Sequence, residues 1–279
     1  MPELPEVETI ARKLRNVLLK RRFETMTVLW AKTIANINPE DFIQTMQGAT
    51  VNDIRRRGKY LIFDLDNNKD LVIHLRMSGK FSMHPAGAGF EDNKHTRVRM
   101  LLDNELVLNY IDQRKFGRFY LVDDANTITS KLGPEPLSSQ FSVEWLKQGL
   151  SQRTAQLKTL LLNQSFIAGL GNIYASEALW DARLHPCRIS STISRKEATA
   201  LHRAIRNALK KGLKNMGTTL GTGHANFYSV GRRSGRNSDQ LNVFRRTGQP
   251  CPRCKKTIER IIVGQRSTHI CTTCQKLED

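Results

Sequence analysis

The spacing of apolar residues changes near residue 131 of this 279-residue chain, and that change limits its architecture more than any other feature. From about residue 23 to 123, apolar and polar residues alternate through FETMTVLW, ATVNDIRRR, KYLIFDLD, DLVIHLRM, TRVRMLLDNELVLNYID and RFYLVD. A period of two puts every second side chain on one face of a strand. Asp103-Asn104 suits a hairpin turn, and short strands in succession predict an antiparallel sandwich or barrel. Past the breaker-rich KLGPEPLSS at 131–139 the period turns helical, with helices expected near 142–149, 153–163, 172–182 and 194–214. The fold class predicted is α+β.

The first residues, MPELPEVETI, carry two Pro-Glu pairs. Val7, Ile10, Leu14, Val17 and Leu18 share one helical face, so residues 1–20 read as a helix. Pro5 fits the first helical position, and Glu6 and Glu8 suit the positive end of the helix dipole. Pro2 and Glu3 lie outside that helix and have no structural reason to be there.

Charge narrows the class of partner. The formal net charge is +18, and residues 203–279 hold 16 Lys and Arg against four Asp and Glu, a net of +12, leaving +6 for residues 1–202. A surplus of this size usually faces a polyanion. No apolar run approaches 18 residues and the N-terminus is acidic, so neither a membrane span nor a secretory signal is expected, and the location expected is cytoplasmic.

Four of the five cysteines form CPRC at 251–254 and CTTC at 271–274, sixteen residues apart. That spacing suits two knuckles joined by a β-hairpin and predicts one tetrahedral, structural Zn²⁺ on Cys251, Cys254, Cys271 and Cys274. A redox dithiol and an iron–sulfur site are the rivals. Cys187 stands apart with no assigned role.

Three further stretches place basic residues beside glycine: RRRGK at 55–59, HLRMSG at 74–79 and DQRKFG at 112–117. Met77 and Phe116 could wedge into a base stack while Arg114 fills the space of an extruded base; ordinary edge packing is the alternative. His74 reads as a core histidine. In GLGNIYASEALW, Gly169 and Gly171 precede a helix whose N-terminus could hold a phosphate beside Asn172, or could simply make a tight turn. The Gly- and Ser-rich stretch 217–240 reads as a long loop.

Taken in order, PELPEVET, HLRMSG, DQRKFG, LGPEPL, GLGNIYASEAL and the four-Cys finger with GQRST resemble the bacterial formamidopyrimidine-DNA glycosylase family over almost the whole chain. The resemblance implies an N-terminal helix and β-sandwich over 1–132, a helix–two-turns–helix domain over 133–240, and a zinc finger over 241–279, with DNA between the domains. It implies that the initiator Met is removed and that the Pro2 amine is the nucleophile, with Glu3 as general acid and Lys59 contacting phosphate and assisting elimination. Met77, Arg114 and Phe116 resemble the trio filling the flipped-out gap. Asn172 and Arg266 resemble residues gripping phosphates, and His95 is placed with the DNA-binding residues. The 217–240 loop resembles a cap over extruded 8-oxoguanine, with Glu6 near it. Lys115 and Gln113 depart from the commoner Arg and Pro, and His269 from an aromatic.

The activity expected is therefore that of a bifunctional glycosylase and abasic-site lyase. It would remove oxidised purines from duplex DNA through a proline Schiff base and cut the strand by β,δ-elimination. The rivals are an endonuclease VIII-type glycosylase, which usually begins Pro-Glu-Gly-Pro where this chain has Leu4, and a non-catalytic DNA-binding relative. A nucleoid-associated monomer with no small-molecule cofactor is expected.

Overall fold

The computed structural model describes residues 1–87, 93–219 and 235–277. The chain divides into two compact units, Met1–Ser130 with Asn215–Arg236, and Lys131–Lys214 with Asn237–Asp279. The sequence boundary at 132/133 lies close to the first division, but Asn215–Arg236 joins the first unit instead of the helices before it. Arg236 N–H donates to the Asn215 carbonyl at 2.8 Å, and Thr218 bridges Arg236, which holds the two ends of that segment together.

The first unit runs α1 (Leu4–Leu18), β1 (Phe23–Val28), a 3-10 turn (Ala31–Thr33), α2 (Pro39–Met46), β2 (Val51–Arg57), β3 (Tyr60–Leu65), β4 (Asp70–His74), β5 (Lys80–Pro85), β6 (Thr96–Leu102), β7 (Leu106–Ile111), β8 (Arg118–Val122) and α3 (Asn126–Thr129). Among the described residues the strands form two four-stranded antiparallel sheets, β1-β6-β7-β5 and β2-β3-β4-β8. Their inner faces share one core with α1 and α2, in which Leu14, Phe23, Phe42, Leu61, Leu71, Val98, Leu108 and Phe119 are fully buried. Outward-facing Ile62 and Val72 are buried too, because the segment carrying Ala125 and Ile128 covers that face. Strand β4 therefore reads as a continuous buried run.

In the first unit three elements depart from the sequence expectation. The stretch 23–123 is not purely alternating, since α2 interrupts it. Asn38 Oδ1 accepts the Asp41 N–H at 2.8 Å, Pro39 opens the helix, and Phe42 and Met46 are buried beneath it. Strand β5 was absent from the alternating stretches, because KFSMHP ends in a proline that suits only a strand end. Helix α1 begins at Leu4, which makes Pro5 its second helical residue and not its first.

The second unit contains α4 (Val143–Ser151), α5 (Leu157–Leu162), α6 (Asn172–Asp181), α7 (Arg195–Lys214), and the hairpin β9 (Glu259–Val263) and β10 (Arg266–Ile270). Helix α5 starts later than residue 153 because residues 155–157 pair with 188–190: Leu157 N–H donates to Arg188 O and Ser190 N–H to Ala155 O. Helix α6 is buried on nearly every side. Its Glu177 carboxylate accepts the backbone N–H groups of Asn242, Val243 and Phe244 at 2.8–2.9 Å, fixing the approach to the finger. At Gly212 of α7, a Cβ would collide with the Tyr174 ring, so the close α6–α7 packing needs glycine there.

Phe119 lies between Phe42 and Tyr110, with ring centroids at 6.4 and 4.8 Å. Phe119→Ala should destabilise the first unit by about 3–5 kcal/mol through the lost contacts and the cavity left behind. Denaturant unfolding checks this, and a loss under about 1 kcal/mol would contradict the shared core.

Candidate active site and nucleic-acid interface

The N-terminal residues are held, not frayed. Pro2 is buried, while Met1 is half exposed. Glu3 and Glu6 form a reciprocal capping box at the start of α1, with the Glu3 N–H donating to Glu6 Oε2 at 2.8 Å. The second Glu6 oxygen accepts the Thr218 N–H at 2.7 Å. Glu6 is 1% exposed and both of its oxygens serve backbone donors, so its evident role is to fix the turn carrying Pro2 and Glu3.

Lys59 sits in the β2–β3 turn, after Gly58 at φ +56°, and is buried. Arg56 connects this turn to α1: its Nε donates to Glu8 Oε2 at 2.9 Å and its Nη1 to the Gly58 carbonyl at 3.1 Å. His74, at the end of β4, stacks edge-on against Tyr60, and its Nδ1 accepts the Arg76 N–H at 2.9 Å. Burial, with the positive charges of Arg76 and Lys59, holds its imidazole down to about 3. His74 is thus uncharged at neutral pH, in keeping with its reading as a core histidine.

The three wedge candidates lie on two loops. Met77 and Phe116 are 42% and 48% exposed, which is unusual for large apolar side chains and fits an apolar contact surface. The Arg114 guanidinium lies 4.9 Å from the Phe116 ring centroid. Lys115 takes a left-handed φ of +59° and puts its ammonium 3.8 Å from the Trp30 ring centroid. His95 is half-buried, with its Nδ1 3.4 Å from Arg97 Nη2.

In the second unit, Asn172 opens α6 directly after Gly171, the N-cap residue. Its Nδ2 donates to the Ser267 carbonyl at 3.0 Å, bringing it beside Arg266, while its buried Oδ1 has no hydrogen-bond partner. Arg266 starts β10 after a turn in which Gly264 and Gln265 both have positive φ, and its side chain is exposed. Beneath them the fully buried Lys158 donates to Thr268 Oγ1 at 2.7 Å and Ser176 Oγ at 3.1 Å. Lys158 is marked by no quoted motif, only by an isolated charge in an apolar stretch; Glu177 lies within GLGNIYASEAL, but nothing local shows its partners. Residues 220–234, most of the expected lesion cap, lie outside the described residues.

The ligand sulfurs of Cys251, Cys254, Cys271 and Cys274 all lie within 4.8 Å of one another. Burial opposes ionisation of Cys251, but N–H donors from Cys254, Trp180 and Arg253 bring its thiol down to about 6. Burial and the neighbouring sulfurs push Cys271 up to about 12. Thiols that cannot all ionise beside one another fit a site completed by a dication, and four sulfurs fit tetrahedral zinc. Trp180 packs on the cluster and Arg253 lies 4.2 Å over its ring, so the finger continues the core of α6.

Comparison with known proteins agrees with this arrangement. Residues 1–119 match the formamidopyrimidine-DNA glycosylase N-terminal domain, 132–223 the H2TH domain of the same proteins, and 248–277 the zinc finger found in FPG and IleRS. A formamidopyrimidine-DNA glycosylase from Protochlamydia amoebophila is 46% identical over 99% of this chain and 100% of its own length. One from Herpetosiphon aurantiacus is 42% identical over the same shares. A Lactococcus lactis Fpg in complex with DNA containing an abasic site superposes with a TM-score of 0.91 at 32% identity, covering 99% of this chain and 100% of that one. The MutM (Fpg) protein of Thermus thermophilus gives 0.88 at 36% identity, with both chains covered in full. The four cysteines accordingly hold one structural zinc.

Two outcomes follow from the site. Native protein should carry one zinc ion per chain, and Cys271→Ser should lose it and unfold the finger, read by a zinc-release assay and limited proteolysis. Zinc-free protein with a protected finger would contradict this. His74 is depressed on folding, so its contribution to stability is full above about pH 6.5 and is lost as pH falls toward 3. Between pH 7 and 5 the wild type should lose about 2 kcal/mol that His74→Gln does not lose, measured by denaturant titration.

Proposed function

The chain belongs to the formamidopyrimidine-DNA glycosylase family, and we propose that its chemistry runs through Pro2. It is a DNA glycosylase of base excision repair. A single observation carries the Pro2 reading: Pro2, which lies outside α1, is buried directly before Glu3, and the reciprocal capping box with Glu6 holds Glu3 in place.

Removal of Met1 converts the Pro2 amide nitrogen to a secondary amine. An α-amino group has a pKa of about 8, against about 10.4 for lysine, so roughly a tenth of it is free base at pH 7. Its lone pair forms a bond to the sugar C1′ as the bond from C1′ to the base breaks, and the N–H proton of the ammonium so formed passes to the departing base anion. Glu3 protonates the ring oxygen as the sugar opens, giving an iminium ion. The iminium acidifies the C2′ proton; its loss expels the 3′ phosphate, and a second elimination expels the 5′ phosphate. Lys59, in the turn tied to α1 through Arg56 and Glu8, binds phosphate and assists these eliminations.

Met77, Arg114 and Phe116 are assigned to the gap left by the extruded nucleotide, and Asn172, Arg266 and His95 to backbone contacts. The substrate assigned is duplex DNA carrying 8-oxoguanine or formamidopyrimidines, bound by one copy of the chain. No described helix is long and apolar enough to cross a membrane; the nucleoid is the location assigned.

Incubation with a duplex bearing 8-oxoguanine opposite cytosine, with borohydride present, should give a covalent adduct mapping to Pro2, and strand cleavage without borohydride. Pro2→Gly should reduce excision by about a thousandfold or more while duplex binding persists. Wild-type rates in that variant would remove Pro2 from the mechanism. An adduct formed only with an oxidised pyrimidine would reassign the substrate.

A further inference from the structure

The two wedge loops are joined by a group to which neither the family resemblance nor the proposed chemistry gives a role. Asp112 follows β7 and is 1% exposed. Its Oδ1 accepts the Ser78 hydroxyl, and also the Arg114 N–H at 3.2 Å. Its Oδ2 accepts the Gly117 N–H at 2.8 Å. Ser78 Oγ accepts in turn from the Arg114 N–H at 3.1 Å. One carboxylate therefore fixes the residue after Met77 and closes the loop on both sides of Phe116. Its backbone takes part as well: the Asp112 N–H donates to the His95 carbonyl at 2.9 Å, and its own carbonyl accepts buried Arg97 Nε at 2.9 Å. Gly79 and Gly117 flank this point, and a Cβ on either would collide with the Tyr110 hydroxyl, so both loops are pressed onto one spot.

We propose that Asp112 is a positioning residue for base extrusion, its buried carboxylate locking the Met77 loop and the Arg114–Phe116 loop together as one rigid wedge. The proposal rests on the assignment of those three residues to the extruded-base gap. A carboxylate suits the task because three donors converge on it, and an ionised acceptor binds donors about twice as strongly as a neutral one. Asn in its place keeps the shape but turns one acceptor into a donor, which then faces the Gly117 N–H or the Ser78 and Arg114 donors. Met77 and Phe116 would then move independently. Loss of registration between groups that must enter the stack together costs about a hundredfold when displacement nears 1 Å.

Asp112→Asn and Ser78→Ala, both with full-length zinc-loaded protein, test this on two substrates. The first is duplex DNA with 8-oxoguanine opposite cytosine and a fluorescent base analogue beside the lesion, which brightens on unstacking. The second is a single-stranded oligonucleotide with a preformed abasic site, which needs no wedge. Asp112→Asn should slow excision from the duplex, and the fluorescence rise, by about a hundredfold, and Ser78→Ala by about tenfold. Cleavage of the single strand should stay within about twofold, and the double variant should lose less than the product of the two single losses. Duplex excision and fluorescence near wild type in both single variants would overturn the proposal. So would equal losses on duplex and single strand, which would make Asp112 a general support of the fold. Failure of the Pro2 assignment would appear instead as Pro2→Gly protein that excises at the wild-type rate. The fluorescence signal reports the wedge regardless of that outcome.

Discussion

A buried carboxylate holds the beginning of this chain where chemistry can use it. Chain termini fray unless tied down, and here Glu6 supplies the tie, with one oxygen on the Glu3 N–H and the other on the Thr218 N–H. The helix behind it cannot slide, because Val7, Leu14 and Leu18 are fully buried in the sandwich. The positive end of the α1 dipole offsets the cost of burying Glu3 and Glu6 so close together. An amine attached to the second residue is a useful nucleophile only if its position is fixed to a fraction of an ångström, and this turn is fixed on both sides.

The second unit reaches a similar rigidity with the opposite charge. The ammonium of Lys158 on α5 donates to Ser176 on α6 and Thr268 on β10. Asn172 of α6 also donates to the Ser267 carbonyl, so β10 is pinned next to the exposed Arg266. The finger gains its rigidity from two sources, the thiolate cluster and the packing of Trp180 upon it. No open coordination position is required for that role, and the zinc is structural, remote in function from the sugar chemistry.

Much of the fold was legible because periodicity is a local property. The switch from period two to a helical spacing near residue 131 separated strands from helices, and the two Cys pairs located the finger. Helix α2 is masked in the sequence although Asn38-Pro39 is a strong start signal, since its eight residues lie within a long alternating stretch. Helix α5 was drawn too long because pairing of residues 155–157 with 188–190 is a tertiary event that no local window contains. The site was legible unevenly. Pro2 and Glu3 both stood out as residues outside the helix, but the structure gives Glu3 a structural purpose, since it caps α1 reciprocally with Glu6. Asp112 and Glu177 lie inside two of the ordered motifs and Lys158 in none, but no local pattern tells that each gathers several partners; the folded chain brings Ser78 to Asp112, Thr268 to Lys158 and Val243 to Glu177.

The opposite signs of Asp112 and Lys158 follow from what each must collect. Tight loops turn their N–H groups inward, so a buried anion is needed to gather them; Ser78, Arg114 and Gly117 all donate to Asp112. A hairpin edge and a helix face offer hydroxyl and carbonyl oxygens, so a buried cation gathers those; Ser176 and Thr268 accept from Lys158. Neither arrangement is the most stable way to fill its volume, since well-packed apolar residues often replace buried charges without loss. What an apolar substitute cannot supply is direction. A charge with several oriented partners permits one arrangement of the elements around it, and the loops around Asp112 and the elements around Lys158 are held to that one arrangement.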